Sequence, residues 1–508
     1  MKLSARPGHW ATPAAGVLSG LLLALAFPPF EWAILLPLAP VPWITALWRE
    51  TSRFRALVSG FLLGLAFWCG SIPWIAYVVT HYGGQKGVMG FVCLFLLAAI
   101  LAEWPALVGW AAVACAPPRS TWRLAAVPVL WMATEHARSF VYGGFPWNLN
   151  ATALYRHPIW LQSASLWGAY GVGGAALVVS CLLAASAVRR RLAPLAAAVL
   201  WVLALGALGA ARLSGPSETS PAISVALLQP NLHEEDRAAD PARTYGVVLG
   251  QARQAALRRP SLIVLPESAL PVSWEASATL RRDLSDLAAR GSRVLFNDIE
   301  TAADGRYYNV ARLLGPSGLA EPSYRKVHLV PFGEYVPLPR VFFFVRQVSS
   351  EIGAFAAADR PELLASEDLR LGMGVCYEIT YPSLVREEVA RGANLLATIS
   401  NDSWYGKAGA QAQHFAAAVL RSAETGRFLV RAAITGISGI VDDRGRIREE
   451  LFADREGVLF GDVRLAQRAT AWVQWGYWVP RGADALAVGV LLWGLVRWIR
   501  VRRPRAES

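Results

Sequence analysis

Charge is scarce in this 508-residue chain. Lys, Arg, Asp and Glu together make 17% of it, against about 25% in soluble globular proteins, while hydrophobic residues make 54% and there are 21 Trp. The shortage excludes an ordinary soluble enzyme and requires much of the chain to face lipid. Cysteine is scarcer still, and five residues cannot form a disulfide scaffold in a chain of this length. The high apolar content excludes disorder. No His/Cys ligand spacing, P-loop or dinucleotide-type glycine pattern is present, so no metal and no cofactor is implied, and His328 and His414 read as packing imidazoles. Internal repeats and low-complexity tracts are absent apart from an Ala-rich bias.

Long apolar runs are what the chain has instead. A bilayer core about 30 Å thick takes about 20 residues of helix. Ala56 to Val79 offers 24 residues without a charge, Ile159 to Val188 offers 30 and Leu192 to Ala211 offers 20. Ala14 to Phe27, Ala33 to Trp48, Val88 to Cys115 and the short Leu124 to Thr134 bring the expected spans to seven, and a run centred on Ala485 to Val496 makes the eighth. The first run follows Lys2 and Arg6 and contains Ala24-Leu25-Ala26, which also fits a cleaved signal peptide; an uncleaved helix is preferred. Glu103, beside Pro105 in the fourth run, is expected either to serve function or to make a structural hydrogen bond.

The placement of Lys and Arg gives orientation. With the N-terminus inside, the inner segments hold Lys2, Arg6, Arg49, Arg53, Arg55, Arg119, Arg123, Arg189, Arg190, Arg191, Arg497, Arg500, Arg502, Arg503 and Arg505, and the short outer loops hold only Lys86, Arg138 and Arg156. Fifteen against three puts both termini in the cytoplasm and the segment between the seventh and eighth spans outside, in a bacterial periplasm. With Glu50 and Glu507 subtracted, the inner edges carry +13 against +12 for the whole chain. The basic balance is therefore a topology signal suited to anionic lipid, and nucleic acid is not an expected partner.

Three regions follow: a membrane domain over 1–214, a periplasmic domain over 221–465, and a last helix with a basic tail over 481–508. In the middle region the period changes. Strands are expected at Ile223 to Leu228, Leu262 to Leu265, Arg293 to Asn297, Leu369 to Cys376, Leu395 to Ser400, Phe428 to Thr435 and Gly457 to Asp462. Helices are expected at Ala242 to Leu257, Ser277 to Ala289, Tyr381 to Arg391 and Gln411 to Gly426. This is layered α/β structure, with Gly215 to Pro221 as its linker.

Cys69, Cys93, Cys115 and Cys181 fall within spans and read as packing. Cys376 is the only thiol of the periplasmic region, where a strand run ends against Tyr377-Glu378, and reads equally as a nucleophile or as a buried inert thiol. A nucleophilic Cys needs a base and a cation. Glu267, emerging from the apolar run Leu262 to Pro266, and Lys326, in a largely apolar stretch with Arg325, His328 and Glu334, are the candidates; a structural ion pair between them is the equal alternative.

Taken together, LPES at Leu265 to Ser268, YRKVHLVPFGEYVP at Tyr324 to Pro337 and GVCYE at Gly374 to Glu378 resemble the nitrilase superfamily, and the membrane setting is similar to its apolipoprotein N-acyltransferase family. FPWNLN at Phe145 to Asn150, after Glu135 and Arg138, resembles that family's periplasmic loop. NDSWYG at Asn401 to Gly406 and the segment Arg421 to Gly445 resemble its C-terminal half. Arg237-Ala238 departs from the Lys-Trp pair common in the family.

The resemblance implies about eight transmembrane helices plus an αββα sandwich bearing a Glu267-Lys326-Cys376 triad. It implies support from Glu334, Glu378 and Tyr377, and an entrance lined by Phe145, Trp147 and Trp404, with interfacial anchoring as the alternative for the two Trp. The implied partners are a phospholipid donor, phosphatidylethanolamine or phosphatidylglycerol, and a diacylated apolipoprotein acceptor, served by a monomer. Trp472, Trp475, Tyr477 and Trp478 read as an interfacial belt. A membrane-tethered amidase and an inactive transporter or scaffold are the competing readings; the first leaves seven preceding spans unexplained and the second leaves the triad unexplained.

Overall fold

The computed structural model describes residues 10–84, 86–215, 220–331, 333–335, 355–407 and 409–502, with side chains as far as residue 496. Lys2, Arg6, Arg503, Arg505, Pro337 and most of the expected linker lie outside the described residues.

Among the described residues, five helices are long and apolar enough to cross a membrane: Arg53–Ser71, Gly87–Cys115, Ala164–Arg189, Leu192–Ser214 and Trp478–Val496. Several expected spans take a different form. The run from Ala56 to Val79 breaks where Ile72 leaves helical geometry and Pro73 starts a second helix, Trp74–His81, because proline cannot continue the hydrogen-bond ladder. Ala33 to Trp48 folds as two short helices, Leu35–Leu38 and Val41–Arg49, parted at Ala39-Pro40. Leu124 to Thr134 is the middle of Thr121–Arg138, an 18-residue helix with polar ends. The run that starts at Ile159 turns first through Pro158–Leu161, and its long helix bends at Gly168 (φ 68, ψ −178).

Small residues hold the bundle together. A Cβ at Gly16 would lie 2.2 Å from the Ser59 carbonyl oxygen, and one at Gly60 would lie 2.1 Å from that of Pro105. Glycine at these two sites lets Ala11–Ala24, Arg53–Ser71 and Gly87–Cys115 approach backbone to backbone. Pro105 stands inside one continuous helix, and Glu103 is exposed on that helix's outer face.

Among the described residues, thirteen strands follow the bundle and form two sheets. The first has the order β13 (Gly457–Arg464), β1 (Ala222–Gln229), β2 (Leu262–Val264), β3 (Arg293–Thr301), β4 (Tyr307–Gly315) and β5 (Gly318–Leu319), with β6 (Tyr324–Arg325) also on β4. The second has the order β12 (Ile447–Leu451), β11 (Ser438–Val441), β10 (Leu429–Ala433), β9 (Leu395–Ser400), β8 (Leu369–Val375) and β7 (Leu364–Ser366). β1, β2 and β3 run parallel, as do β8, β9 and β10.

Side-chain alternation builds the layers. Val225 and Leu227 of β1 face Met373, Val375 and Ile399 of the other sheet, whereas Ala226 and Leu228 face Val248, Ala252 and Leu284 of the helices Pro241–Ala256 and Ala278–Ala288. On the far side Leu396 and Leu429 meet Val385 and Val419 of Pro382–Ala390 and Ala410–Thr425. The result is a four-layer αββα sandwich. Its outer helix layer packs directly on the membrane part, because Leu149, Tyr155, Tyr170 and Trp472 share that same core.

That packing corrects one reading. Trp472 is fully buried and its ring fills the space beside Gly168, while Tyr477 packs against it at 4.9 Å; only Trp475 and Trp478 of the expected belt are exposed.

Candidate active site

Three chain reversals bring the chemistry together. β2 ends at Val264, Pro266 just beyond it cannot donate to the ladder, and Glu267 follows; the next residue, Ser268, takes φ 54. Lys326 stands immediately after β6, its amide bonded to the Asn309 carbonyl at 2.9 Å. Cys376 follows β8 directly and starts the 3-10 turn Cys376–Thr380 with φ 56, a left-handed geometry that a non-glycine residue holds only when its surroundings enforce it. One enforcing contact is visible: His414 Nε2 donates to the Cys376 carbonyl at 2.9 Å.

Glu267, Lys326 and Cys376 are all buried. Lys326 Nζ lies 3.7 Å from Glu267 Oε1 and 2.9 Å from Glu334 Oε1. Asn309 Nδ2 donates to both acids, at 3.1 Å to Glu267 and 3.0 Å to Glu334, and the Asn401 amide donates to Glu267 Oε2 at 2.9 Å. Glu334 is therefore part of the lysine's immediate setting. Burial works against the Lys326 ammonium, but Glu334 and Glu267 outweigh it and hold its pKa above the ordinary lysine value. Burial pushes the Cys376 thiol up, Glu267 adds to this, and Lys326 opposes it. The resting site thus pairs a neutral thiol with a charged lysine.

Glu378 ties the lysine to the cysteine. One oxygen accepts from the amides of Val327 and His328 at 2.7 and 2.9 Å, and the other accepts from the Val375 amide and the Tyr324 hydroxyl, each at 2.9 Å. Burial pushes this carboxyl up to about 7, against the opposing pull of Lys326 and the three amides. Tyr377 faces the membrane part, with its hydroxyl 3.3 Å from the Gly144 carbonyl and its ring stacked on Trp147 at 6.2 Å.

Trp147 is buried, which removes the reading of an anchor at the lipid surface. Its Nε1 donates to Gln413 at 2.7 Å, and Phe145 stacks on it at 6.5 Å. Arg138 donates to the Trp147 carbonyl at 2.8 Å and so holds this loop over Tyr377. Trp404 is half-buried with its ring 4.5 Å from that of Tyr82.

Sequence reasoning missed a second cluster behind the sulfur. Ser400 Oγ lies 3.5 Å from Cys376 Sγ and 2.5 Å from Asp402 Oδ1, and Arg431 donates to Asp402 Oδ2 at 2.7 Å. Asp402 and Arg431 lay within the segments quoted for the resemblance, yet no spacing tied them to Cys376. Arg237 is also a site neighbour, hydrogen-bonded to the Ser268 carbonyl and to Glu234, whose carboxylate accepts from Asn401 at 3.1 Å. Among the described residues no cluster of His, Cys, Asp and Glu is arranged to hold a metal ion.

A buried cysteine together with a buried lysine–carboxylate pair, at the strand ends of an αββα sandwich carried on membrane helices, defines a membrane-integral enzyme of the nitrilase class. Residues 224–472 match the Carbon-nitrogen hydrolase family model, and residues 19–182 match that of the Apolipoprotein N-acyltransferase N-terminal domain. Relatives named Apolipoprotein N-acyltransferase include those of Geobacter metallireducens, 35% identical over 91% of both chains, and Vibrio cholerae, 30% identical over 97% of this chain and 98% of the other. Among solved structures, a mutant of a Nesterenkonia amidase from the nitrilase superfamily is 21% identical over 51% of this chain and 96% of its own, with a TM-score of 0.39. The chain belongs to the apolipoprotein N-acyltransferase family and is an acyltransferase. Full-length similarity of this kind disfavours the amidase alternative.

Proposed function

We propose that this protein N-acylates the diacylglyceryl-cysteine at the N-terminus of apolipoproteins, using the sn-1 acyl chain of phosphatidylethanolamine or phosphatidylglycerol and a Cys376 thioester. The observation that carries the reading is the burial of Cys376 beside Lys326 and Glu267, beneath a loop held by the membrane helices.

In the first half-reaction Glu267 accepts the thiol proton as sulfur attacks the ester carbonyl. The Lys326 ammonium holds the oxyanion, and lysophospholipid leaves with the proton from Glu267. In the second, the α-amine of the acceptor attacks the thioester, Glu267 accepts the amine proton, and the C–S bond breaks to give a thiolate that regains that proton. Glu334 steadies Lys326, Glu378 sets the distance between Lys326 and Cys376, and Tyr377 carries the roof. Phe145, Trp147 and Trp404 border the approach of the acyl chain. A site that opens to lipid protects the thioester from water. The chemistry calls on no cofactor.

The chain crosses the inner membrane eight times in this proposal. The five long helices are joined by Ala11–Ala24, by the Leu35–Leu38 and Val41–Arg49 pair, and by Thr121–Arg138. The membrane domain is 1–214, the catalytic domain 221–465 lies in the periplasm, and 481–508 forms the last helix and tail. Both termini are cytoplasmic, as the Lys and Arg bias favours. The enzyme acts as a monomer. Incubation with phospholipid and a diacylated lipopeptide tests the function: a triacylated product and lysophospholipid support it, and ammonia release from small amides without either product refutes it.

A further inference from the structure

In the transfer step Glu267 returns its proton to sulfur only after the C–S bond has broken, which leaves the sulfur without a donor while its charge develops. The sulfur then leaves as a thiolate inside a buried site, with the Asp402 carboxylate close behind it on the other side of Ser400. Lys326 is engaged by Glu334 and serves the oxyanion, and Arg431 is engaged by Asp402. An uncompensated thiolate there would be a poor leaving group.

We infer that Ser400 is a further catalytic residue of the acyl transfer, donating its hydroxyl hydrogen to the Cys376 sulfur as the carbon–sulfur bond breaks. The inference rests on the proposed thioester chemistry. Ser400 Oγ is fully buried and stands 3.5 Å from Sγ, with Asp402 Oδ1 at 2.5 Å on its other side. A hydroxyl has one hydrogen, and here two acceptors compete for it. While sulfur is a thiol or a thioester it is a weak acceptor, and the hydrogen stays on Asp402. Once the C–S electron pair passes to sulfur, the thiolate becomes the stronger claimant.

Asp402 is built to release that hydrogen without following it. Arg431 donates to Oδ2 at 2.7 Å, and a Cβ on Gly436 would lie 2.1 Å from the same oxygen, so the carboxylate is wedged in place. His414 completes the frame. Its Nε2 carries the hydrogen given to the Cys376 carbonyl, and its Nδ1 accepts from Arg431 at 3.1 Å. The cluster therefore fixes both the hydroxyl and the backbone of the nucleophile, and neither task belongs to the triad.

The test uses the full-length enzyme in detergent or nanodiscs and the variants Ser400→Ala and Ser400→Thr. Two readouts are taken: the pH dependence of Cys376 alkylation by iodoacetamide, and the decay of the Cys376 acyl adduct when a diacylated lipopeptide is added. Ser400→Ala is expected to move the alkylation midpoint upward and to slow adduct decay by about 10-fold or more, as for loss of a donor aimed at developing charge. Formation of the adduct from phospholipid should change far less, and Ser400→Thr, which keeps the hydroxyl, should restore both readouts. An unmoved midpoint in Ser400→Ala, or equal slowing of both half-reactions without rescue by Thr, overturns the assignment. If the wild type carries no acyl group on Cys376, the thioester reading and the assignment resting on it both fail; a midpoint shift in that case would show that the hydroxyl still contacts the sulfur.

Discussion

Gln413 and His414 are neighbours on the helix Ala410–Thr425, and between them they join the membrane part to the nucleophile. Gln413 donates to the carbonyls of Pro28 and Ser71 at 2.8 and 2.6 Å and accepts from Trp147 and Trp74 at 2.7 and 3.2 Å. His414 donates to the Cys376 carbonyl at 2.9 Å. A shift of the outer helix layer relative to the membrane helices would therefore move the turn that carries the sulfur. Gln413→Leu leaves these buried partners unsatisfied, at about 1–3 kcal/mol for each lost bond. It should lower the thermal midpoint in detergent and reduce acyl transfer together. Wild-type stability in this variant would show that the joint is held elsewhere.

Gly168 gives a second test of the joint. Its φ of 68 and ψ of −178 suit glycine alone, and a Cβ would lie 2.6 Å from the buried Trp472 ring. Gly168→Ala should destabilise the protein by about 1–3 kcal/mol in backbone strain before any clash is counted. Trp472→Ala in the same background removes the clash but not the strain, so a thermal shift series on the single and double variants separates the two contributions.

Arg237 holds the turn behind Glu267 through the Ser268 carbonyl. Arg237→Ala should lower kcat by about 10- to 100-fold through misplacement of the base, with little change in KM. Arg237→Lys should recover part of the loss. A rise in KM with kcat unchanged would instead make Arg237 a substrate contact.

The raised pKa of Glu378 predicts a pH signature. Burial pushes it to about 7 from 4.5 in the unfolded chain, so the protonated form is the one the fold favours. Its contribution is full below pH 4.5, falls as pH rises, and is lost through about pH 7. The thermal midpoint of wild type minus that of Glu378→Gln should be larger at pH 5 than at pH 8. A difference independent of pH would mean that the carboxyl titrates outside this range.

Much of the sandwich was legible because its strands are short apolar runs closed by Pro, Gly or polar residues. β1, β8 and β9 lie within a residue or two of their expected limits. β4 was not expected, since Tyr307–Gly315 mixes Asn309 and Arg312 into a buried strand; those polar residues are tolerated because each finds an acid, Glu267 for Asn309 and Asp298 for Arg312. The loss of β4 hid Asn309, which bridges the two site carboxylates. In the membrane part, hydropathy located the apolar mass but not its breaks, because Pro73 and Gly168 act through backbone geometry and leave the local hydropathy unchanged. Cys376, Glu267 and Lys326 were legible as candidates from residue type. The Ser400-Asp402-His414-Arg431 cluster was not, since only β9, β10 and the helix Ala410–Thr425 folding together bring it to the sulfur.

Intact-mass and peptide analysis of the purified enzyme after exposure to phospholipid of a single chain length tests the central claim most directly. The predicted result is one acyl group on the peptide containing Cys376, labile to neutral hydroxylamine, absent from Cys376→Ser, and discharged onto a diacylated lipopeptide. Formation of the triacylated lipopeptide by Cys376→Ser, or by wild type that never carries an acyl group on Cys376, would contradict it.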